Sequence, residues 1–260
     1  MIKIEQTETY GWEAAIRGMR NPMNSWDKSD TKICDTYKIN ECCDGWVYDK
    51  CLYHDSCGKG VWINEFQSVH LGENDLNLMK NLCKAGTDHR KFMRMITVYC
   101  DITAPLYWWK EFDTYKVGTV ANSCSTMHKI AAKEFTLDDF SCTHLDIRTR
   151  KILEDIIEAL NDYRNLYINY NPDYFEILHG CPSKKDIWWQ MIQLLPSSYN
   201  QKRTLMMNYE VLSNIYKSRK NHKLDEWHKF CDWIEELPYS ELITGERNNN
   251  EELRMSPCFV

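Results

Sequence analysis

Between Lys116 and His128 the chain sets a cation, Asn122, the run Ser123-Cys124-Ser125 and an imidazole within a dozen positions of Gly118. Those types suit hydrogen bonding to a polar ligand, and Cys124 with His128 as a base would suit thiolate attack. A small buried thiol is the commoner role for such a cysteine, and Asn122, Ser123 and Ser125 are also the residues that cap and turn a chain.

A second constellation, Cys34, Cys42, Cys43, Cys51, His54 and Cys57, places five thiols and one imidazole within 24 residues. Structural zinc sites pair their ligands two to four residues apart, and here only His54 and Cys57 do so cleanly, so no metal site is assigned. His222 with Asp225 or Glu226 has helical spacing and reads as a surface ion pair. Gly-x-Gly-x-x-Gly, P-loop, Gly-x-Ser-x-Gly and His-Glu-x-x-His patterns are all missing, which removes support for Rossmann dinucleotide folds, phosphate-loop NTPases, common hydrolases and zincins.

Composition narrows the classes further. A chain of 260 residues, 43% hydrophobic, buries a sizeable core. Its 38 acidic and 32 basic residues are interspersed, net −6, without a basic stripe, so nucleic acid is not an expected partner. No window approaches 18 uninterrupted apolar residues, no secretory leader opens the sequence, and Cys258 stands third from the end, outside the prenylation pattern. The expectation is a cytoplasmic protein without a membrane, its twelve cysteines reduced.

Periodicity supplies the elements that must hold these residues. Ile2 to Ile4 reads as a short strand, and Trp12 to Met19 as a helix ending at Gly18 or before Pro22, followed by a loop, NPMNSWDKSD. Asn74 or Asp75 is expected to cap a helix carrying Leu76, Met79, Leu82 and Cys83 and stopped by Gly86. Alternation of Ile96, Val98, Cys100 and Ile102 gives a strand over Arg94 to Ile102. Pro105 opens a buried helix over Ala104 to Lys116, whose aromatics Tyr107, Trp108, Trp109, Phe112 and Tyr115 read as core. Further helices are expected over Ile152 to Tyr167, Trp188 to Leu195, Leu205 to Tyr216 and Leu224 to Leu237, with a mobile polar tail from Gly245. Few strands and many helices predict an α+β fold.

From His89 to His128 the motif spacing resembles that of the flavin-dependent thymidylate synthases. That family carries Arg-His-Arg-x-x-Ser-x-Asn-Glu-x-Ser-x-Arg-Tyr after an Ala-Pro-initiated helix, and His-x-x-Pro-Phe-x-His upstream. Here the upstream element falls on His89 to Met95 with only His89 kept. Counting from Ala104-Pro105, the triplet falls on Thr114, Tyr115 and Lys116, and the next serine on Thr119. With one extra residue after Val120, the Asn and second Ser fall on Asn122 and Ser125, and the closing Arg-Tyr on Met127 and His128. In the last third, Leu195-Pro196, Asn208, Leu212, Asn214 and Arg219 hold the family's ladder without a gap, Trp227 has a counterpart displaced by one, and a further arginine is replaced by Ile192.

The resemblance covers residues 70–128 and 185–237, and implies a small antiparallel sheet with several long helices: one domain over 1–245 with insertions near 25–68 and 129–184, and a polar tail over 246–260. It implies FAD contacts at His89, Lys116, Asn208 and Asn214, nucleotide contacts at Thr114, Tyr115, Asn122 and Arg219, and Ser125 as the catalytic position. The family reaction moves a methylene from methylenetetrahydrofolate to dUMP and reduces it through flavin with NADPH, in a homotetramer. Losing the arginine forks weakens bidentate recognition of phosphate and of the pyrimidine edge, since Lys116 remains only a point charge. Either the acceptor is dUMP or a changed pyrimidine nucleotide, or the chain is a non-catalytic nucleotide- or protein-binding protein on the same fold. Arg219 near a helix end can also serve only the last carbonyls and the dipole.

Overall fold

A computed structural model describes residues 2–35, 61–64, 67–171 and 182–245. The expected tail beyond residue 245, and Cys42, Cys43, Cys51, His54 and Cys57, lie outside the described residues. Among the described residues no three His, Cys, Asp or Glu side chains gather as a metal site, and no helix is long and apolar enough to cross a membrane.

The fold is α+β. One small antiparallel sheet has four strands, β1 (Lys3–Tyr10), β5 (Thr97–Pro105), β6 (Val120–Ser123) and β7 (Asn200–Asn208), in the order β1-β5-β7-β6. A second, three-stranded sheet joins β2 (Lys32–Asp35), β3 (Val61–Asn64) and β4 (Gln67–His70), in antiparallel order β2-β4-β3. Its register sets Lys32 opposite His70 and Val61 opposite Val69. The alternation expected in β5 is realised: Val98, Cys100, Ile102 and Ala104 are buried and Tyr99 is exposed, as period-2 side chains on a half-covered sheet must be. β1 runs well beyond the expected Ile2–Ile4.

The chain forms two compact units, each discontinuous in sequence: residues 1–5, 101–114 and 121–204, and residues 6–100, 115–120 and 205–260. In the first, Ile130, Phe135, Phe140, Leu153, Leu160 and Met191 form an apolar core. The helix Ile147–Ile168 starts where Asp146 accepts the Thr149 N–H at 2.8 Å, and packs on the helix Lys184–Leu194, which opens with a reciprocal Ser183–Asp186 capping box. That box starts the second helix four residues before the expected Trp188. Asn161 ties down the loop that precedes the first of these helices, exchanging 2.8 Å hydrogen bonds with both backbone groups of Phe135. Pro105 caps the helix Leu106–Phe112, which is shorter than expected and buries Trp108, Trp109 and Phe112 as core.

In the second unit, Trp12 of the helix Trp12–Arg20 is buried edge-on against Tyr209 at 5.3 Å. Gly11 precedes it at φ 88, and a Cβ there would strike the Met95 carbonyl oxygen, so only glycine fits. The helix Glu73–Ala85 corrects the cap expectation: neither Asn74 nor Asp75 caps it. Asp30, from the segment expected to be plain loop, reaches in to accept the Asn74 and Asp75 N–H groups at 2.9 and 3.1 Å. Asp75 is fully buried instead, taking Arg20 Nε at 2.7 Å and the hydroxyls of Ser29 and Thr31 at 2.7 and 2.6 Å. A long-range polar network outcompetes the local cap, which sequence spacing does not reveal.

A further correction falls at Leu205. The expected helix Leu205–Tyr216 starts at Tyr209, and Leu205 to Asn208 finish β7. Apolar residues at 205, 207, 209 and 212 satisfy both periods, and pairing in the sheet decides for the strand.

Candidate functional site

β7 passes into the helix Tyr209–Arg219 with no loop between them. Asn208 is both the last strand residue and the N-cap, in extended conformation, its Oδ1 accepting the Val211 N–H at 3.0 Å. Helical spacing then puts Asn208, Val211, Ile215 and Arg219 along one face. The segment 115–120 lies on that face. Gly118 adopts φ 79, and a Cβ there would sit 2.9 Å from Asn208 Nδ2 and 3.0 Å from Val211 Cγ2.

At the other end of the helix, Arg219 Nε donates to the Tyr115 hydroxyl at 2.9 Å. The guanidinium lies 4.7 Å over the Trp227 ring and 5.6 Å from the Tyr115 centroid, and the two rings meet edge to face at 6.2 Å. Trp227 is fully buried and also carries His222 edge-on at 6.2 Å. His222 Nδ1 accepts the Leu224 N–H at 3.2 Å from a turn that precedes the helix Asp225–Glu235, so the helical spacing invoked for an ion pair with Asp225 or Glu226 does not apply. Arg219 is therefore oriented side-on by an aromatic wall rather than only serving its helix end. His222 also borders an open depression of about 510 Å³ with Cys231 and Asp232. Burial first, then the Asp232 and Glu235 charges, pushes the Cys231 thiol up to about 11, which leaves it unreactive.

The contacts thus gather Tyr115, Arg219 and Trp227 at the end of the helix, while Asn208, at its start, meets the same segment through Gly118. Lys116 and Asn214 are exposed on the same two stretches of chain, and His89 is exposed on the turn after Gly86, its N–H bonded to the Gly86 carbonyl at 3.0 Å. Next to it the buried Arg90 faces Glu210 through two nitrogens, Nε 2.9 Å from Oε2 and Nη2 donating to Oε1 at 3.1 Å; only the second is a well-formed hydrogen bond.

The remaining expected residues belong to the other unit. Thr114 is exposed and its hydroxyl donates to the Glu111 carbonyl at 2.8 Å. Asn122 is exposed on β6. Ser125 caps the short helix Thr126–Lys129, accepting the His128 N–H at 3.0 Å, which is the capping use weighed from sequence. Cys124 is exposed, against the expectation of a buried thiol: β6 is an edge strand with all four residues outward, so the position after it has nothing to cover it. Its backbone is held by Lys202 and Gln201, at 2.9 and 2.8 Å.

Sequence reasoning missed Arg203. Its guanidinium lies 4.2 Å over Trp109, with Nη1 2.6 Å from Asp113 Oδ1 and Nε donating to Gln201 Oε1 at 3.0 Å. An arginine within a strand shows no periodic signal that marks it as a stacking residue.

No family model and no curated protein matches the sequence. Among solved structures the chain is similar to thymidylate synthase X from Helicobacter pylori, solved with FAD and dUMP, at 12% identity and TM-score 0.57 over 94% of this chain and 98% of that one. A second structure of that flavin-dependent enzyme, also complexed with FAD and dUMP, gives 13% identity with the same coverage and TM-score. At such identity the likeness establishes the fold: a distant thymidylate synthase X-like architecture.

Proposed function

We propose that this chain is a flavoprotein acting on a pyrimidine nucleotide, dUMP or a changed acceptor, by thymidylate synthase-like reductive one-carbon transfer. The observation that carries this reading is the end-to-end fold likeness to structures holding FAD and dUMP. It includes one domain over residues 1–245, a homotetramer, and NADPH and methylenetetrahydrofolate as reductant and one-carbon donor.

The residues present fit such a ligand in donor type. Lys116 supplies a point charge for phosphate; His89 and Asn214 are exposed hydrogen-bonding groups; Asn208 offers its Nδ2, its Oδ1 being held by the helix. Bound FAD would supply the hydride chemistry. Arg219, its approach angle set by Tyr115 and Trp227, would meet the nucleotide's anionic or carbonyl oxygens. Ser125, Asn122 and Thr114 are kept as acceptor contacts on the strength of the motif resemblance alone. Lys116, a point charge where the family has an arginine fork, favours a nucleotide held by several modest contacts over one gripped by its phosphate.

The test is FAD titration of the purified protein followed by flavin fluorescence, with melting curves in the presence of dUMP, UMP and dCMP. Quenching of flavin and an upward shift with at least one nucleotide are expected, followed by NADPH oxidation when the folate donor is added. Protein that neither binds flavin nor shifts with any of the three overturns the reading.

A further inference from the structure

We infer that a second anion site, independent of Arg219, lies in a depression of about 380 Å³ where Met127, His128, Tyr167, Lys184, Lys185 and Trp188 converge, and that it takes a nucleoside monophosphate. In a chain of net charge −6, the described residues on the walls of this depression include two lysines and an imidazole and no carboxylate. The depression beside His222, by contrast, is bordered by Asp232 and Glu235. The acid nearest in sequence, Asp186, is engaged in the capping box, taking the Ser183 N–H and hydroxyl at 2.9 and 2.6 Å.

Both kinds of recognition are set in place before any ligand arrives. Trp188 is pinned by its indole N–H, which donates to the Met127 carbonyl at 3.0 Å, and by Trp189 edge-on at 4.8 Å. The Lys184 ammonium sits 4.8 Å over the Tyr167 ring, which restrains its flexible stem and leaves its protons for an acceptor. A planar base on the half-buried Trp188 indole with its phosphate at Lys184 and Lys185 uses both features at once. The volume falls within the range of small-ligand pockets, at its lower end, which suits one nucleotide rather than a dinucleotide.

The test is calorimetric titration of the full chain with UMP and, separately, with pyrophosphate and a thymidine dodecamer, in Arg219→Ala and in Arg219→Ala carrying Lys184→Ala/Lys185→Ala or Trp188→Leu. The Arg219→Ala protein is expected to bind one UMP, and the lysine pair to weaken both UMP and pyrophosphate by roughly tenfold or more. Trp188→Leu is expected to weaken UMP and spare pyrophosphate. Loss of all UMP binding in Arg219→Ala overturns the second site while leaving the proposed function standing. Unchanged affinity in the lysine variant, whose side chains are exposed and whose folding is therefore safe, overturns it too. Pyrophosphate binding as tight as UMP, or binding of the dodecamer alone, overturns the assignment to a mononucleotide.

Discussion

Arg219 is held at 2.9 Å by the hydroxyl of Tyr115, a residue 104 positions earlier in the chain. A tyrosine that looks from sequence like a substitute unfit for its position thus organises the strongest cation of the candidate site. Tyr115→Phe keeps the ring and removes the bond; nucleotide affinity is expected to fall about fivefold to tenfold, the worth of one charge-assisted hydrogen bond reduced by partial exposure. Arg219→Ala should remove affinity at this site outright. Calorimetry on the two variants separates the contributions, and equal affinity in Tyr115→Phe and the unaltered protein would show that Tyr115 does not orient Arg219.

Gly118→Ala puts a Cβ into the left-handed conformation and against Asn208 and Val211, for a cost of roughly 1–2 kcal/mol. Asn208→Ala removes the helix cap at about 1 kcal/mol. Because the two residues touch, the double variant should cost less than the sum, and urea unfolding of all three measures that coupling.

The buried pair Arg20–Asp75 fixes the turns after the first helix. Removing the carboxylate in Asp75→Ala leaves the guanidinium buried without its partner and is expected to cost about 3–5 kcal/mol. Burial by itself raises the Asp75 carboxyl, but hydrogen bonds from Thr31, Ser29 and Arg20 together with the Arg20 charge outweigh it and hold the group below its ordinary range. A depressed folded-state value means the stabilisation is present above the unfolded value, near pH 4, and is lost as pH falls through the lower folded value. Urea unfolding between pH 2 and 7 should show a steeper acid loss in the unaltered protein than in Asp75→Ala.

Thiol reactivity should follow exposure and burial. Desolvation is the main cause that pushes Cys83 and Cys231 up to about 11, so at pH 7.5 only roughly three in ten thousand of each are thiolate. Iodoacetamide followed by peptide mapping should modify the exposed Cys124 well before either. Modification of Cys231 first would contradict the packing of the helix Asp225–Glu235.

The sequence made the elements legible where one period dominates: the alternation through β5, the aromatic face after Pro105, and the apolar stripe of Asp225–Glu235. It did not reveal Asp30 as the cap of a helix 43 residues away, because the local candidates Asn74 and Asp75 carry the same chemistry and only the fold sends Asp75 to Arg20. At the site, the ladder from Asn208 to Arg219 was readable as spacing. The contact between Arg219 and Tyr115 was not, since it joins two segments through side chains of types that neither segment's pattern selects. Lys184 and Lys185 were hidden for a similar reason: two lysines at a helix start look solvated until Tyr167 and Trp188 are folded beside them.

The seamless junction at Asn208 bears on how such a chain can vary. Each residue of an α-helix advances it by about 100°. Inserting or deleting one residue between Asn208 and Val211 would rotate Arg219 by that angle, off the face on which Tyr115 and Gly118 lie. Descendants of this sequence that keep the site are therefore held to the length of this stretch as well as to the packing of its buried Tyr209 and Glu210. A one-residue difference here in any relative would mark the loss of Arg219's place.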